Sequence, residues 1–144
     1  MVITRATEYA IRALLFLAKQ PKGQIVYKKD ICESQKITPA FLTKILQPLI
    51  KDGIVGSQRG VGGGFYLLKD PSRISILDVI KSQEGPICLN HCLSPEEACN
   101  REKTCPVRDV WEEANRGLVK TLSDYDFQSL ADREQHKANG NKSK

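Results

Sequence analysis

Cys92, Cys99 and Cys105 are the residues of this chain best suited to chemistry. Gaps of six and five residues separate them, in a stretch rich in polar residues, Pro and Asn that carries neither helical nor strand periodicity. A thiol that only packs belongs on an apolar face, as Cys32 does. Three thiols gathered on a loop are what soft-metal or cluster coordination requires. Structural zinc is a poorer match, because it favours four tightly grouped ligands with C-x2–4-C spacing. Acid–base catalysis finds no positioned His/Asp/Glu set: both histidines, His91 and His136, lie outside the front half.

The elements that must hold this loop belong to an ordinary soluble composition, 40% apolar and 27% charged over 144 residues, enough for one domain with a real core and an appended element. No apolar run approaches the roughly 20 residues of a membrane span. The start, Met1-Val2-Ile3-Thr4-Arg5, lacks the features of a signal peptide. The expected compartment is the cytoplasm, where five cysteines, an odd number, read as ligands or redox thiols rather than disulfides. Charge is uneven. Residues 1–84 hold 13 Lys/Arg against 7 Asp/Glu, whereas residues 85–132 hold 5 against 9. A polyanionic partner would meet the front half.

Tyr9, Ala10, Ala13, Leu14, Leu17 and Ala18 recur at helical spacing over 4–19, and Pro21-Lys22-Gly23 ends that helix. A short helix over Lys28–Ser34 buries Ile31 and Cys32. Thr38-Pro39 opens the next, an N-cap hydroxyl followed by Pro at the first helical position; it runs through Phe41, Leu42, Ile45, Leu46, Leu49 and Ile50 to Gly53. Two extended segments, Ile54–Ser57 and Phe65–Leu68, flank a glycine-rich turn. This order predicts a mostly α fold with a small β-hairpin wing: a winged helix-turn-helix whose third helix would enter the DNA major groove. A helix capped by Ser75 covers Ile76–Gln83. From Pro106 a long helix presents Val107, Trp111, Ala114, Leu118, Thr121 and Tyr125 as a coiled-coil-like seam, which predicts a homodimer. Gly117 would admit a second helix closely. The expected organisation is a DNA-binding domain over 1–84, the cysteine loop over 85–105, a dimerisation helix and a short terminal helix over 106–132, and a disordered tail over 133–144.

Arg59-Gly60-Val61-Gly62-Gly63-Gly64 is not a phosphate loop, since no Lys-Ser/Thr follows. Nor is it a dinucleotide fingerprint, since a strand rather than a helix comes next. A hairpin turn with positive φ explains the glycines, and Arg59 at its tip can reach a narrow, A·T-rich minor groove.

The chain resembles the family of winged-helix repressors that includes IscR, NsrR, RirA and CymR. The likeness runs from Ile3-Thr4-Arg5 to Leu130-Ala131-Asp132. Its most specific stretch is Gly53-Ile54-Val55-Gly56-Ser57-Gln58-Arg59-Gly60-Val61-Gly62-Gly63-Gly64-Phe65-Tyr66-Leu67, and the three-cysteine loop marks the cluster-binding branch. The resemblance implies a sequence-specific DNA-binding regulator that dimerises through the long helix and binds a partly palindromic operator on double-stranded DNA. It implies an iron–sulfur cluster, 2Fe–2S or 4Fe–4S, held by Cys92, Cys99 and Cys105. It puts the DNA contacts on Thr38, Ala40 and Thr43 of the third helix and on Arg59, with Gly60 beside it, in the wing.

Two positions depart from the family pattern. Thr43 stands where IscR has Glu, so it cannot accept from cytosine N4. Arg108 stands where IscR has a ligating His, and a guanidinium stays protonated. The fourth ligand is then Glu8 of the partner subunit, as the likeness to NsrR implies, or Cys88, His91 or an external group. The alternative function is a metal- or redox-handling protein with a structural zinc site and a winged-helix docking module.

Overall fold

A computed structural model describes residues 3–142. Helix α1 (Arg5–Ala18) starts at Thr4, whose hydroxyl accepts from the Thr7 N–H at 3.3 Å. Its apolar stripe, Ala10, Ala13, Leu14 and Leu17, is buried. α2 (Lys28–Gln35) and α3 (Pro39–Lys51) form the helix-turn-helix. The turn between them is sharp because Lys36 adopts the left-handed conformation, φ 54°, at a cost on the order of 1–2 kcal/mol for a residue with a Cβ. The Thr38 hydroxyl caps α3 by accepting from the Phe41 N–H at 3.2 Å. Leu42, Ile45, Leu46 and Leu49 enter the core.

β1 (Val55–Gln58) and β2 (Gly64–Leu67) pair antiparallel, Val55 opposite Leu67 and Gln58 opposite Gly64, to make the wing. Val26 bridges to Phe65 on the other edge of β2, with reciprocal N–H···O bonds of 2.8 and 2.9 Å. Gly64 makes this possible: a Cβ there would lie 2.1 Å from the Val26 carbonyl oxygen. At the tip, Gly60 and Gly62 have φ of 89° and 78°, which L side chains avoid.

α4 (Ile76–Glu84) begins with the expected Ser75 cap, completed by Asp78 into a reciprocal capping box. α5 (Pro106–Asp124) packs Leu118, Val119 and Leu122 on Leu77, Ile80 and Ile87. None of its residues is buried, and Val107, Val110, Trp111 and Tyr125 are exposed. Leu118, expected in an outward seam, is therefore partly turned to α4; Ala114, Gly117 and Thr121 do face outward. No helix among the described residues is long and apolar enough to cross a membrane.

The C-terminus corrects an expectation. In place of a short terminal helix and a disordered tail from residue 133, α6 runs Phe127–Lys142; residues 143 and 144 lie outside the described residues. Its first turn is fixed by Asp126, whose carboxylate accepts from the Ser129 N–H at 2.8 Å, and by burial of Phe127 and Ala131 in the main core. Once that turn is held, the nucleation cost is met and the helix formers Arg133, Glu134, Gln135, Lys137 and Ala138 extend it without any apolar pattern. Lys19 pairs with Glu134 at 2.8 Å along the way. Phe127 is 0% exposed and bridges α6 to the front domain. Phe127→Ala should cost about 3–5 kcal/mol in urea unfolding; a loss below about 1 kcal/mol would show that α6 is peripheral to the fold.

Candidate functional site

The helix-turn-helix and the wing enclose a groove of about 360 Å³ lined by residues that include Lys28, Thr43, Gln47, Arg59 and Gly60. Of the five expected DNA contacts, Thr43, Arg59 and Gly60 meet here. Thr38 and Ala40 stand exposed at the start of α3, outside the groove lining. Lys28 and Arg59 line it, Lys44 and Lys51 stand exposed on α3, and none of the four is in an ion pair among the described residues. Cations without carboxylate partners are free to neutralise phosphates. Sequence reasoning missed Lys28 and Gln47, because neither belongs to a motif; only the fold brings α2, α3 and the wing together.

The cysteine loop joins α4 to α5. Cys88, Cys92, Cys99 and Cys105 are free and half-buried, while Cys32 is buried in the core as expected, where desolvation pushes its thiol up despite Lys28 nearby. Cys92 and Cys99 line one cavity of about 480 Å³ with His91 and Glu97, and His91 Nδ1 lies 3.3 Å from Glu97. Cys105 is apart from that lining, at the N-cap of α5, its N–H donating to the Arg101 carbonyl at 2.9 Å. Cys88 faces a second cavity and donates weakly to the Leu93 carbonyl at 3.7 Å. Glu8 is exposed in the first turn of α1, its carboxylate without a partner among the described residues. The soft thiolate donors are of the type that iron–sulfur clusters take, but the geometry is not closed: among the described residues no three His, Cys, Asp or Glu side chains converge where they could hold a metal ion.

Arg108 has a different role from the ligand it displaces. Its guanidinium donates to the Cys92 carbonyl and pairs with Glu102 at 3.2 Å and Glu112 at 3.0 Å, tying the loop to α5. Burial opposes its charge, but the two carboxylates outweigh that and raise its pKa further. Asn115 fastens the start of the loop, accepting from the Leu89 N–H at 3.0 Å and donating to the Ile87 carbonyl at 3.1 Å. Arg108→Met should therefore raise the rate of limited proteolysis within the loop severalfold; an unchanged rate would remove Arg108 as the brace.

The last turn of α4 connects the loop to the groove. Gln83 Nε2 donates to the Ile45 carbonyl in α3 at 2.6 Å. Glu84 accepts from the Thr4 N–H and hydroxyl, both at 2.9 Å, and from the Thr7 hydroxyl at 2.5 Å, at the N-terminus of α1. Burial acts to raise the Glu84 carboxyl, but the bonds from Thr7 and Thr4 win and hold it below its ordinary value. That stabilisation is complete above the ordinary glutamate value of about 4.3 and is lost as pH falls through the lower folded-state value. Glu84→Gln should accordingly be less stable than wild type near neutral pH, with the gap closing on acidification. Denaturant titrations across pH test this, and a pH-independent gap would contradict it.

A family model described as Rrf2, an iron-dependent transcriptional regulator, matches residues 3–133. The HTH-type transcriptional regulator NsrR of Shouchella clausii is 32% identical over 131 residues, covering 90% of this chain and 88% of that protein. The NsrR of Bacillus licheniformis is 32% identical over 137 residues, covering 94% and 96%. Among solved structures, CymR, the global cysteine regulator of B. subtilis, superposes with a TM-score of 0.75 at 26% identity, over 92% of this chain and 98% of that one. The IscR of T. potens has the same fold, with a TM-score of 0.73 at 24% identity over 94% and 90%.

Proposed function

The chain belongs to the Rrf2 family of transcriptional regulators, and from that premise we propose that it is a cytoplasmic repressor whose affinity for DNA is set by an iron–sulfur cluster on the loop between α4 and α5. The family is one of transcriptional regulators and not of enzymes, which favours a regulator over a metal- or redox-handling protein with a structural zinc site. The partner is double-stranded DNA with a partly palindromic operator, met by Thr38, Ala40 and Thr43 on α3 and by Arg59 and Gly60 in the wing. Two-fold symmetry in the operator calls for a homodimer. The outward face of α5, with Val107, Val110, Trp111, Ala114 and Gly117, supplies an apolar surface for it; a Cβ on Gly117 would meet nothing within 4 Å in the single chain.

The observation that carries the sensing role is the place of the thiols. Cys92, Cys99 and Cys105 sit on the segment that leaves α4 directly after Gln83 and Glu84 fasten α3 and α1. These three would hold the cluster, of 2Fe–2S or 4Fe–4S type, with Glu8 of the partner subunit as fourth donor; Cys88, His91 and an external ligand are the competing donors. When bound, the cluster supplies sensitivity to iron supply, oxidants or nitric oxide. The chain's own part is to convert loop conformation into the positions of α4, α3 and α1, two arrangements whose balance the loop biases. The loop as described must close for all three thiols to share one centre, and Glu8 is exposed and free to be drawn in.

Anaerobic reconstitution with ferrous iron and sulfide should give coloured protein containing both, with operator affinity different from that of the apo form. Cys99→Ala should remove the colour and the difference together. Colourless wild type carrying zinc would overturn the cluster, and binding that ignores DNA sequence would overturn the regulator's proposed mode of reading.

A further inference from the structure

Thr43 lines the groove, yet its hydroxyl is already committed. It donates its one proton to the Pro39 carbonyl at 3.0 Å, one turn back along α3, and its oxygen accepts from Lys28 Nζ at 2.6 Å. With that proton held inside the helix, Thr43 has no donor for a base acceptor such as guanine O6 or N7. What the contact does achieve is to fix Lys28. This ammonium, at the first residue of α2, is half-buried, outside any ion pair among the described residues and held against α3, with two protons still to donate.

One turn after Thr43, the side chain of Gln47 lines the same groove. It is exposed, and its carboxamide has no hydrogen-bond partner among the described residues. The exposed stripe of α3 is Ala40, Lys44, Gln47 and Lys51. Ala40 offers only a methyl group, and the two lysines are point charges without a paired donor and acceptor. Gln47 alone on that stripe carries a donor and an acceptor side by side. That pattern matches the N6–H donor and N7 acceptor that adenine shows in the major groove.

We propose that Gln47 is the specificity-determining residue of this chain, reading an adenine in each half-site, and that Thr43 is a positioning residue that holds Lys28 as a phosphate contact. This rests on the DNA-reading function proposed above and replaces base reading by Thr43. The expectation is open to selection of bound sites from a randomised duplex pool by the full-length chain, followed by affinity measurements over a range of salt. Wild type should select an operator with a fixed A·T pair in each half. Gln47→Ala should recover the same operator with that pair relaxed, bind the original site on the order of tenfold more weakly, and keep the salt slope. Lys28→Ala should weaken all sites alike and lower the salt slope by about one per subunit. Thr43→Val should reproduce Lys28→Ala, and the double variant should be no worse than either, the signature of one shared interaction. Gln47 is an exposed helical position that accepts Ala, so unchanged thermal unfolding is expected and any loss is one of reading. An unaltered base preference in Gln47→Ala overturns the adenine assignment, and a changed preference in Thr43→Val overturns the positioning role. If wild type selects no sequence at all, DNA reading itself fails and the proposal falls with it.

Discussion

The last turn of α4 holds the molecule together as a device, because two adjacent side chains there grip two different helices. Gln83 reaches the Ile45 carbonyl in the middle of α3, and Glu84 receives the hydroxyls and backbone N–H at the front of α1. α1 packs against α2, α3, α4, α6 and β2, so whatever fixes its N-terminus fixes the frame around the core. α3 needs the support for a reason of its own. Pro48 lies inside it and has no N–H to give the Lys44 carbonyl, and proline at such a position bends a helix. Gln83 holds the neighbouring carbonyl, so the segment of α3 that carries Gln47 is steadied from outside the helix.

Immediately beyond that turn, Gly85 with φ 82° ends α4 and the chain enters the cysteine loop. The loop is pinned near its start by Asn115, and at Cys92 and Glu102 by Arg108, both from α5, while the rest of the stretch from Ser94 to Thr104 is held mainly by its own short turns. A rearrangement drawing Cys92, Cys99 and Cys105 together must therefore bend the middle of the loop or pull on those pins. On the proposed reading the second route matters, since α5 packs on α4 through Leu118, Val119 and Leu122, and α4 carries Gln83 and Glu84. The coupling needs no long chain of contacts, only a small shift of one packed helix pair.

Much of this architecture is written locally. Thr4, Thr38-Pro39 and Ser75 with Asp78 mark helix starts through side chains that bond their own first turns, and the glycines of 60–64 mark a hairpin because few other residues adopt its backbone. These features are legible because cause and effect lie within a few residues of each other. Gln83 to Ile45 and Thr4 to Glu84 span 38 and 80 positions, and nothing periodic announces such pairs. The long α6 escaped for a different reason: past Ala131 it has no buried face, so hydrophobic patterning falls silent although a held first turn lets the helix continue. The thiols were recognisable as a donor set from type and spacing alone, but their convergence depends on loop conformation, which spacing does not determine.

The two positions where the chain departs from its family's pattern illustrate how a lost contact is replaced. Thr43, where IscR has Glu, binds its hydroxyl to Pro39 and Lys28, which leaves the groove with a fixed cation; on the proposed reading base discrimination then falls to Gln47, further along α3. Arg108 exchanges an expected ligand for a brace on the Cys92 backbone, and it brings a positive charge beside a residue that must be a thiolate to bind metal. Neither change leaves a vacancy, because each new side chain is satisfied by groups already present. The consequence is directional. On the proposed reading, a fixed guanidinium would offset the negative charge that thiolate ligands gather, while supplying no donor of its own. On the same reading the fourth donor comes from elsewhere, and Glu8 of the partner subunit, whose carboxylate has no partner among the described residues, is the donor that would also link loading to the position of α1.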